Sequence, residues 1–241
     1  MNTSPPSFSF IVPALNEENN LPAVIDEITD NAQQAGVSDY EIIIVDDGSS
    51  DGTGTAAERL CALNANITYI RNDARQGVGL SFLTGAHRAI KEFCLIVPGD
   101  NEFILDFFPQ AVSLLASGTP DFIVTYVDNP WIRPLHRRII STLYINILNL
   151  LFSTDFKYTN GIVIYPSAWI HSLELNSKGY TFQSEALLRA HWEGKRFIHV
   201  GMTLRPRKYG KSKIFSIMAI MEVFHSLIKI KLARKHDLSN L

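Results

Sequence analysis

The sequence predicts an α/β fold: a doubly wound, mainly parallel sheet with helices on both faces and an amphipathic helix at the C-terminus. Three observations carry this expectation. Runs such as Glu41-Ile42-Ile43-Ile44-Val45 and Phe93-Cys94-Leu95-Ile96-Val97 are almost wholly apolar, as in strands covered on both faces. Segments of helical periodicity separate each strand from the next. Charged residues collect after four successive strands, where ligands bind in sheets of this kind.

Taken in order, Phe8 to Val12 is a short β-prone run ended by Pro13. Leu21, Val24, Ile25 and Ile28 share one face of a helix predicted from Asn19 to Gln34. Glu41 to Val45 is the second strand, and the turn from Asp46 to Gly52 leads into a helix from Thr53 to Leu63. Ile67 to Ile70 forms the third strand, Leu80 to Glu92 the third helix, and Phe93 to Val97 the fourth strand.

A chain of 241 residues, 46% hydrophobic and 19% charged, has the material for a sizeable core and too little charge for disorder. The formal net charge of −2 is unevenly spread. From Arg205 onward nine Lys and Arg face only Glu222 and Asp237, so this end carries +7 and the preceding 204 residues −9. Such a basic end fits an anionic partner, a phosphate or a membrane surface, or else a solvated helix. It lacks interleaved base-stacking aromatics, which argues against nucleic acid. Cys61 and Cys94 lie in apolar surroundings without ligand spacing, the pattern of reduced core cysteines in a cytosolic protein. The N-terminal MNTSPPSFSF shows no signal-peptide pattern, and no run reaches the roughly 20 apolar residues of a spanning helix.

The strand ends carry the chemistry. Asn16 and Glu17 follow the first strand, Asp46 and Asp47 the second, Arg71 to Arg75 the third, and Asp100 with Glu102 the fourth. Taken singly, Asp47, Ser49 and Ser50 read equally as helix caps. A dinucleotide-binding site would need GxGxxG directly after the first strand. Pro13-Ala14-Leu15-Asn16-Glu17 stands there instead, and the later Gly77-Val78-Gly79 lacks the final glycine.

The segments Ile11-Val12-Pro13-Ala14-Leu15-Asn16-Glu17 and Val45-Asp46-Asp47-Gly48-Ser49-Ser50-Asp51-Gly52-Thr53 together resemble family 2 glycosyltransferases of the GT-A fold. Arg75-Gln76-Gly77-Val78-Gly79 and Arg207-Lys208-Tyr209-Gly210-Lys211-Ser212-Lys213 are similar to further motifs of that family. The last, with Gly179-Tyr180 and Glu185, narrows the resemblance to the dolichol-phosphate mannosyltransferase-like branch. It covers the chain from about Phe8 to Lys213.

The resemblance implies inverting transfer of a sugar from a nucleotide-sugar donor to a polyprenyl phosphate acceptor at a membrane, with Mg²⁺ or Mn²⁺. It implies one GT-A domain over residues 1–213, with a nucleotide-sugar half at about 8–105 and an acceptor half at about 106–213. A basic helix and tail follow over 214–241. Pro13, Leu15, Glu17, Asp46 and Asp47 would surround the nucleoside, with Arg75 and Gly77 also near the donor. Leu15 departs from the aromatic often found there. The branch ends its fourth strand with Asp-x-Asp and a Gln two positions later; here those places hold Pro98, Asp100 and Glu102. Asp100, with Glu102 as a second ligand, is thus the expected metal site, since a cation bridging a diphosphate needs only one or two protein carboxylates.

On the acceptor side, Arg133, Arg137 and Ser141 recur at i, i+4 and i+8, so a helix there would present two guanidiniums and a hydroxyl on one face. Guanidinium geometry matches phosphate, and the resemblance implies this role for Arg137 and Ser141. The alternative is a basic helix end facing water. Glu185 falls where related glycosyltransferases have a catalytic carboxylate: a general base for a hydroxyl acceptor, a positioning group for a phosphate, or an exposed helical glutamate. Arg207, Lys211, Ser212 and Lys213 combine cations with a glycine-bearing loop, which suits phosphate. Ile214 to Leu232 reads as an amphipathic helix that lies on a membrane, packs on the domain or meets a partner. Three functions remain open at this level: a membrane-peripheral enzyme of the cytosolic face making a polyprenyl-phosphate sugar, a glycosyltransferase with a sugar hydroxyl acceptor or other glycan precursor, and a non-catalytic binding protein.

Overall fold

The structure, a computed structural model, describes residues 5–175, 179, 181–206 and 227–231. A seven-stranded sheet runs through it. In chain order the strands are β1 (Phe8–Ala14), β2 (Tyr40–Asp46), β3 (Ile67–Arg71), β4 (Phe93–Ile96), β5 (Phe122–Val127), β6 (Val163–Pro166) and β7 (Phe197–Met202). Their spatial order is β3-β2-β1-β4-β6-β5-β7. β3, β2, β1 and β4 are parallel neighbours, β6 is antiparallel to both β4 and β5, and β7 is parallel to β5. The expected mainly parallel, doubly wound sheet is present, and β6 is its reversed member.

The helices are α1 (Leu21–Gln34), α2 (Thr53–Leu63), α3 (Val78–Ala86), α4 (Phe108–Ala116), α5 (Leu135–Phe152), α6 (Ser167–His171) and α7 (Phe182–Trp192). Successive side chains of a strand point to opposite faces, and this splits the core in two. Phe8, Phe10, Val12, Ile42 and Ile44 meet α1 and α4 through Leu21, Val24, Ile28, Phe108 and Val112. Ile11, Ile43, Val45 and Ile96 belong to the other layer, with Phe82 of α3, Leu148 of α5 and Leu187 of α7. The apolar strands predicted from sequence are buried on both sides for this reason.

Boundaries follow local chemistry. Pro22 sits in the first turn of α1, where its missing N–H costs no helix bond. α2 occupies the span predicted for it. α3 does not: it ends at Ala86 rather than Glu92. The amides beyond it are captured by side chains at the start of the sheet, Ile90 by Glu41 (2.8 Å), Lys91 by Ser9 (3.2 Å) and Glu92 by Ser7 (3.0 Å). Those tertiary bonds replace a last helical turn. α3 also lies close on the sheet because Gly85 has no side chain; a Cβ there would fall 2.4 Å from Ile11 Cγ2 and 3.1 Å from Val45 Cγ2.

Of the predicted C-terminal helix over 214–232, residues 227–231 are described and are helical. Leu227 and Ile230 are buried in the layer that holds α5 and α7, so this turn packs on the domain, and Ile228 is exposed. Among the described residues no helix is long and apolar enough to cross a membrane.

Candidate active site

The turn after β2 is built around two buried carboxylates. Asp46 accepts the Ser49 N–H on Oδ1 (2.7 Å) and the Tyr69 hydroxyl on Oδ2 (3.0 Å). Burial, reinforced by the Asp46 carboxylate, raises the Tyr69 phenol above its ordinary value, so it stays a donor. Asp47 reaches across to the segment before α3. Its Oδ1 accepts from Gln76 N–H (2.8 Å), the Ser81 hydroxyl (2.9 Å) and the Asn72 amide (3.1 Å), and its Oδ2 from Gly77 N–H (2.8 Å). Gly77 has φ +94°, a conformation that favours glycine. The Arg75–Gly77 segment expected near the donor is therefore fixed by Asp47, and Arg75 itself is exposed.

The end of β1 is tied to the same turn. Asn16 adopts a left-handed φ of 59°, donates its N–H to Ser49 Oγ (2.9 Å) and accepts Ser50 N–H on Oδ1 (2.9 Å). Glu17 N–H bonds Thr53 Oγ1 (2.8 Å), and Glu17 Oε2 accepts the Asn20 amide (2.6 Å). Pro13 is buried and its carbonyl accepts Gly99 N–H (3.0 Å), while Leu15 is half-buried. The first and second strand ends thus form one connected floor.

At the fourth strand end Asp100 is half-buried and accepts Glu102 N–H on Oδ1 (3.2 Å). Asn101 takes a left-handed φ of 55°, and its side-chain oxygen accepts from Arg205 (2.9 Å). Arg205 also donates its N–H to the Glu102 carbonyl (2.8 Å) and pairs with Glu27. The residues leading into 207–213 are thereby held beside Asp100 and Glu102. Arg207, Lys211, Ser212 and Lys213 themselves lie outside the described residues.

Among the described residues there is no group of three or more His, Cys, Asp or Glu side chains placed to hold a metal ion. Asp100 and Glu102 supply two carboxylates within three positions at the mouth of the sheet. That set fits a divalent cation whose remaining ligands are diphosphate oxygens and water, the usual shell of Mg²⁺ in phosphate sites. It does not fit a closed all-protein site.

Beyond this cluster opens a cavity of about 560 Å³. Arg133, Arg137, Arg138 and Lys157 line it, together with Ser141, Tyr158 and the apolar Leu135, Ile139 and Leu143. None of its lining residues is acidic. The structure brings Arg133, Arg137 and Ser141 to one cavity, but not on one helical face. α5 begins at Leu135, after Pro134, and Arg133 stands ahead of it in extended backbone (φ −89°, ψ 144°) at the end of a 3-10 turn over Pro130–Ile132. Proline disfavours helical backbone at the preceding residue, which explains the early stop in the spacing pattern. From there Arg133 bonds Glu102 Oε1 through Nη2 (3.1 Å) and Nε (3.3 Å), and Tyr158 Oη through Nη1 (2.8 Å). Burial opposes its charge, but Tyr158 and Glu102 outweigh that and raise its pKa.

Glu185 is not the exposed helical glutamate that one reading allowed: it is 1% exposed and paired with Arg189 at 3.0 Å. Its neighbours tie α7 to α5 and to the segment before β6. Gln183 Nε2 donates to the Gly161 carbonyl (2.9 Å), and Ser184 Oγ donates to Thr159 Oγ1 (2.9 Å) while accepting from Tyr144 Oη (2.7 Å). Neither Glu185 nor Asp100 lines the cavity.

Sequence reasoning missed Lys157 and Tyr158. Lys157 Nζ lies 4.5 Å from the Tyr126 ring centroid, within cation–π range. Asn72 and Ser81, which complete the Asp47 network, gave no signal at all.

Known proteins are similar to this chain in sequence and in fold. The undecaprenyl-phosphate mannosyltransferase of Micrococcus luteus is 26% identical over 219 residues, covering 85% of this chain and 86% of that protein. The polyprenol monophosphomannose synthase of Mycolicibacterium smegmatis is 26% identical over 217 residues, covering 85% and 79%. Among solved structures, glucosyl-3-phosphoglycerate synthase from Mycobacterium tuberculosis, in complex with Mn²⁺, uridine-diphosphate and phosphoglyceric acid, superposes with a TM-score of 0.68 at 18% identity. The match covers 93% of this chain and 78% of that one, and shows a shared fold. Residues 9–174, more than half of the 241, match the family model for Glycosyl transferase family 2, and the chain belongs to that family.

Proposed function

We propose that this chain transfers a sugar, with inversion, from a nucleotide-sugar to a polyprenyl phosphate. The observation that carries the reading is the cavity beside the fourth strand end: four cations, no carboxylate, and an apolar wall. An anionic head with a hydrocarbon tail matches that lining. One relative is an undecaprenyl-phosphate mannosyltransferase and another a polyprenol monophosphomannose synthase.

In this reading the donor lies over the floor made by Pro13, Leu15, Glu17, Asp46 and Asp47, with Arg75 and Gly77 held against it by Asp47. Asp100 and Glu102 would hold Mg²⁺ or Mn²⁺ with the donor diphosphate, and the cation, when bound, supplies neutralisation of charge on the leaving group. A phosphate oxygen of the acceptor forms the new bond to the anomeric carbon as the bond to the diphosphate oxygen breaks, and the electron pair leaves with the nucleoside diphosphate. The acceptor phosphate is already an anion near neutral pH, so no strong base is required. Arg133, Arg137 and Ser141 orient it, and Arg207, Lys211, Ser212 and Lys213 are assigned to the phosphates. Glu185, paired with Arg189, then acts through position rather than as a base. Leu135, Ile139 and Leu143, which line the cavity, are exposed, as is Trp131 shortly before α5, and we assign these apolar side chains to the membrane surface, on the cytosolic side, from which the acceptor is drawn.

The test is incubation of the purified protein with Mn²⁺ or Mg²⁺, polyprenyl phosphate and a panel of labelled nucleotide-sugars, counting label extracted into organic solvent. Lipid-dependent product, lost in EDTA and in Asp100→Ala, is the expected result. Nucleotide-sugar binding without lipid product, but with transfer to a sugar hydroxyl that Glu185→Gln abolishes, would replace this reading. Absence of both binding and transfer would mark a non-catalytic protein.

A further inference from the structure

The Glu102–Arg133 ion pair joins the fourth strand end to the lining of the cavity. Both side chains are largely withdrawn from water, 9% exposed for Glu102 and 14% for Arg133. Glu102 comes from the loop that carries Asp100, and Arg133 from the segment ahead of α5. One edge of the guanidinium, Nε and Nη2, donates to a single carboxylate oxygen, and Nη1 donates to Tyr158 Oη, so that one N–H on each terminal nitrogen remains. A guanidinium binds phosphate best when an edge can donate two parallel bonds. While Glu102 holds that edge, Arg133 contributes neither the edge nor a net charge to the cavity.

We propose that Arg133 is shared between Glu102 and the acceptor anion, and that Glu102 is a positioning residue making acceptor binding depend on what occupies the Asp100 side. This rests on the proposed function and deepens it. A cation drawn to Asp100 and Glu102 competes with Arg133 for the same carboxylate, so donor-side loading releases the guanidinium toward the cavity. By linkage, an anion that captures Arg133 in turn frees Glu102 for the cation. The consequence is an order: the acceptor site gains its full affinity only when the donor side is loaded, which limits unproductive acceptor binding.

The test is an affinity measurement and needs no turnover. Binding of n-decyl phosphate, with uncharged n-decyl maltoside as control for the tail, is measured by calorimetry in metal-free buffer. Wild type, Glu102→Gln, Arg133→Ala, Arg137→Ala and the Glu102→Gln/Arg133→Ala double variant are compared. Glu102→Gln keeps shape and removes charge; it is expected to bind decyl phosphate about 5- to 100-fold tighter than wild type, the range of ordinary coupling between sites. The double variant should bind no tighter than Arg133→Ala alone. Mn²⁺ with UDP should tighten decyl phosphate binding to wild type and leave Glu102→Gln unchanged. If Glu102→Gln binds equally or more weakly, while melting as wild type does, the sharing is overturned; Glu102→Asp, which shortens the reach to Arg133, serves the same comparison if Glu102→Gln does not fold. A loss of binding in Arg137→Ala without any gain in Glu102→Gln would keep the acceptor cavity and sink only this inference. Decyl phosphate binding no better than decyl maltoside in every form would sink both.

Discussion

Asp47 accepts four hydrogen bonds, from the loop between β3 and α3 and from Ser81 of α3 itself. Its truncation would leave the Asn72 amide and the Ser81 hydroxyl without this acceptor at a buried place, and the Gly77 N–H at a part-buried one. Each such orphan costs about 1–3 kcal/mol, so Asp47→Ala should lower unfolding free energy by at least about 2 kcal/mol and weaken nucleotide-sugar binding together. Urea titration and calorimetry check the two. A variant that loses stability but binds donor normally would separate Asp47 from the site. The cysteines differ just as clearly. Burial pushes the Cys94 thiol up to about 12, whereas Cys61 is only half-buried. Thiol labelling of the native protein at pH 8 should therefore modify Cys61 and spare Cys94 until urea is added, as mass spectrometry of the peptides would show.

At the scale of elements, α3 joins the sheet to the strand-end rim, because its first turn begins at the Asp47-bound segment. Its closeness to β1 and β2 rests on Gly85. Gly85→Ala places a methyl 2.4 Å from Ile11 Cγ2, and α3 must shift outward. Overpacking of this kind costs about 1–3 kcal/mol, and the shift should propagate to Arg75 and Gly77 as a rise in donor KM. A variant with lower stability and unchanged KM would show the helix moving without its N-terminal segment. α5 teaches a different lesson about periodicity. The i, i+4, i+8 pattern of Arg133, Arg137 and Ser141 reads as one helix face, yet the helix starts two residues later. What the pattern captured is proximity around a cavity, and the ion pair to Glu102 was invisible in it because the partners are 31 residues apart.

For the whole molecule, His199 on the edge strand β7 makes stability depend on pH. Burial, then the charge of Lys157, lowers its pKa from 6.5, with Asp155 opposing. The unfolded chain therefore binds more protons than the folded one as pH falls through 6.5, and stability declines in that direction. The melting temperature should drop between pH 7.5 and 5.5 more steeply in wild type than in His199→Gln; parallel curves would place the pH dependence elsewhere. The exposed side chains of Trp131, Ile139 and Leu143 have their own test. Replacing all three by Ser should reduce co-sedimentation with vesicles of anionic phospholipid several-fold while leaving nucleotide binding intact, and undiminished co-sedimentation would remove these side chains from the membrane. The sequence by itself determined the alternation of strands and helices, the two-sided burial of the sheet and the rim where Glu17, Asp46, Asp47 and Asp100 gather. Those features follow from local periodicity and from residues adjacent along the chain. Only the tertiary structure decided that α3 ends at Ala86, that β6 runs against its neighbours, that Asp47 fixes the segment before α3, and that Glu102 and Arg133 neutralise each other between strand end and cavity. Each of these depends on bonds between residues distant in sequence, and a pattern read along one chain carries no record of which distant side chain wins a shared partner.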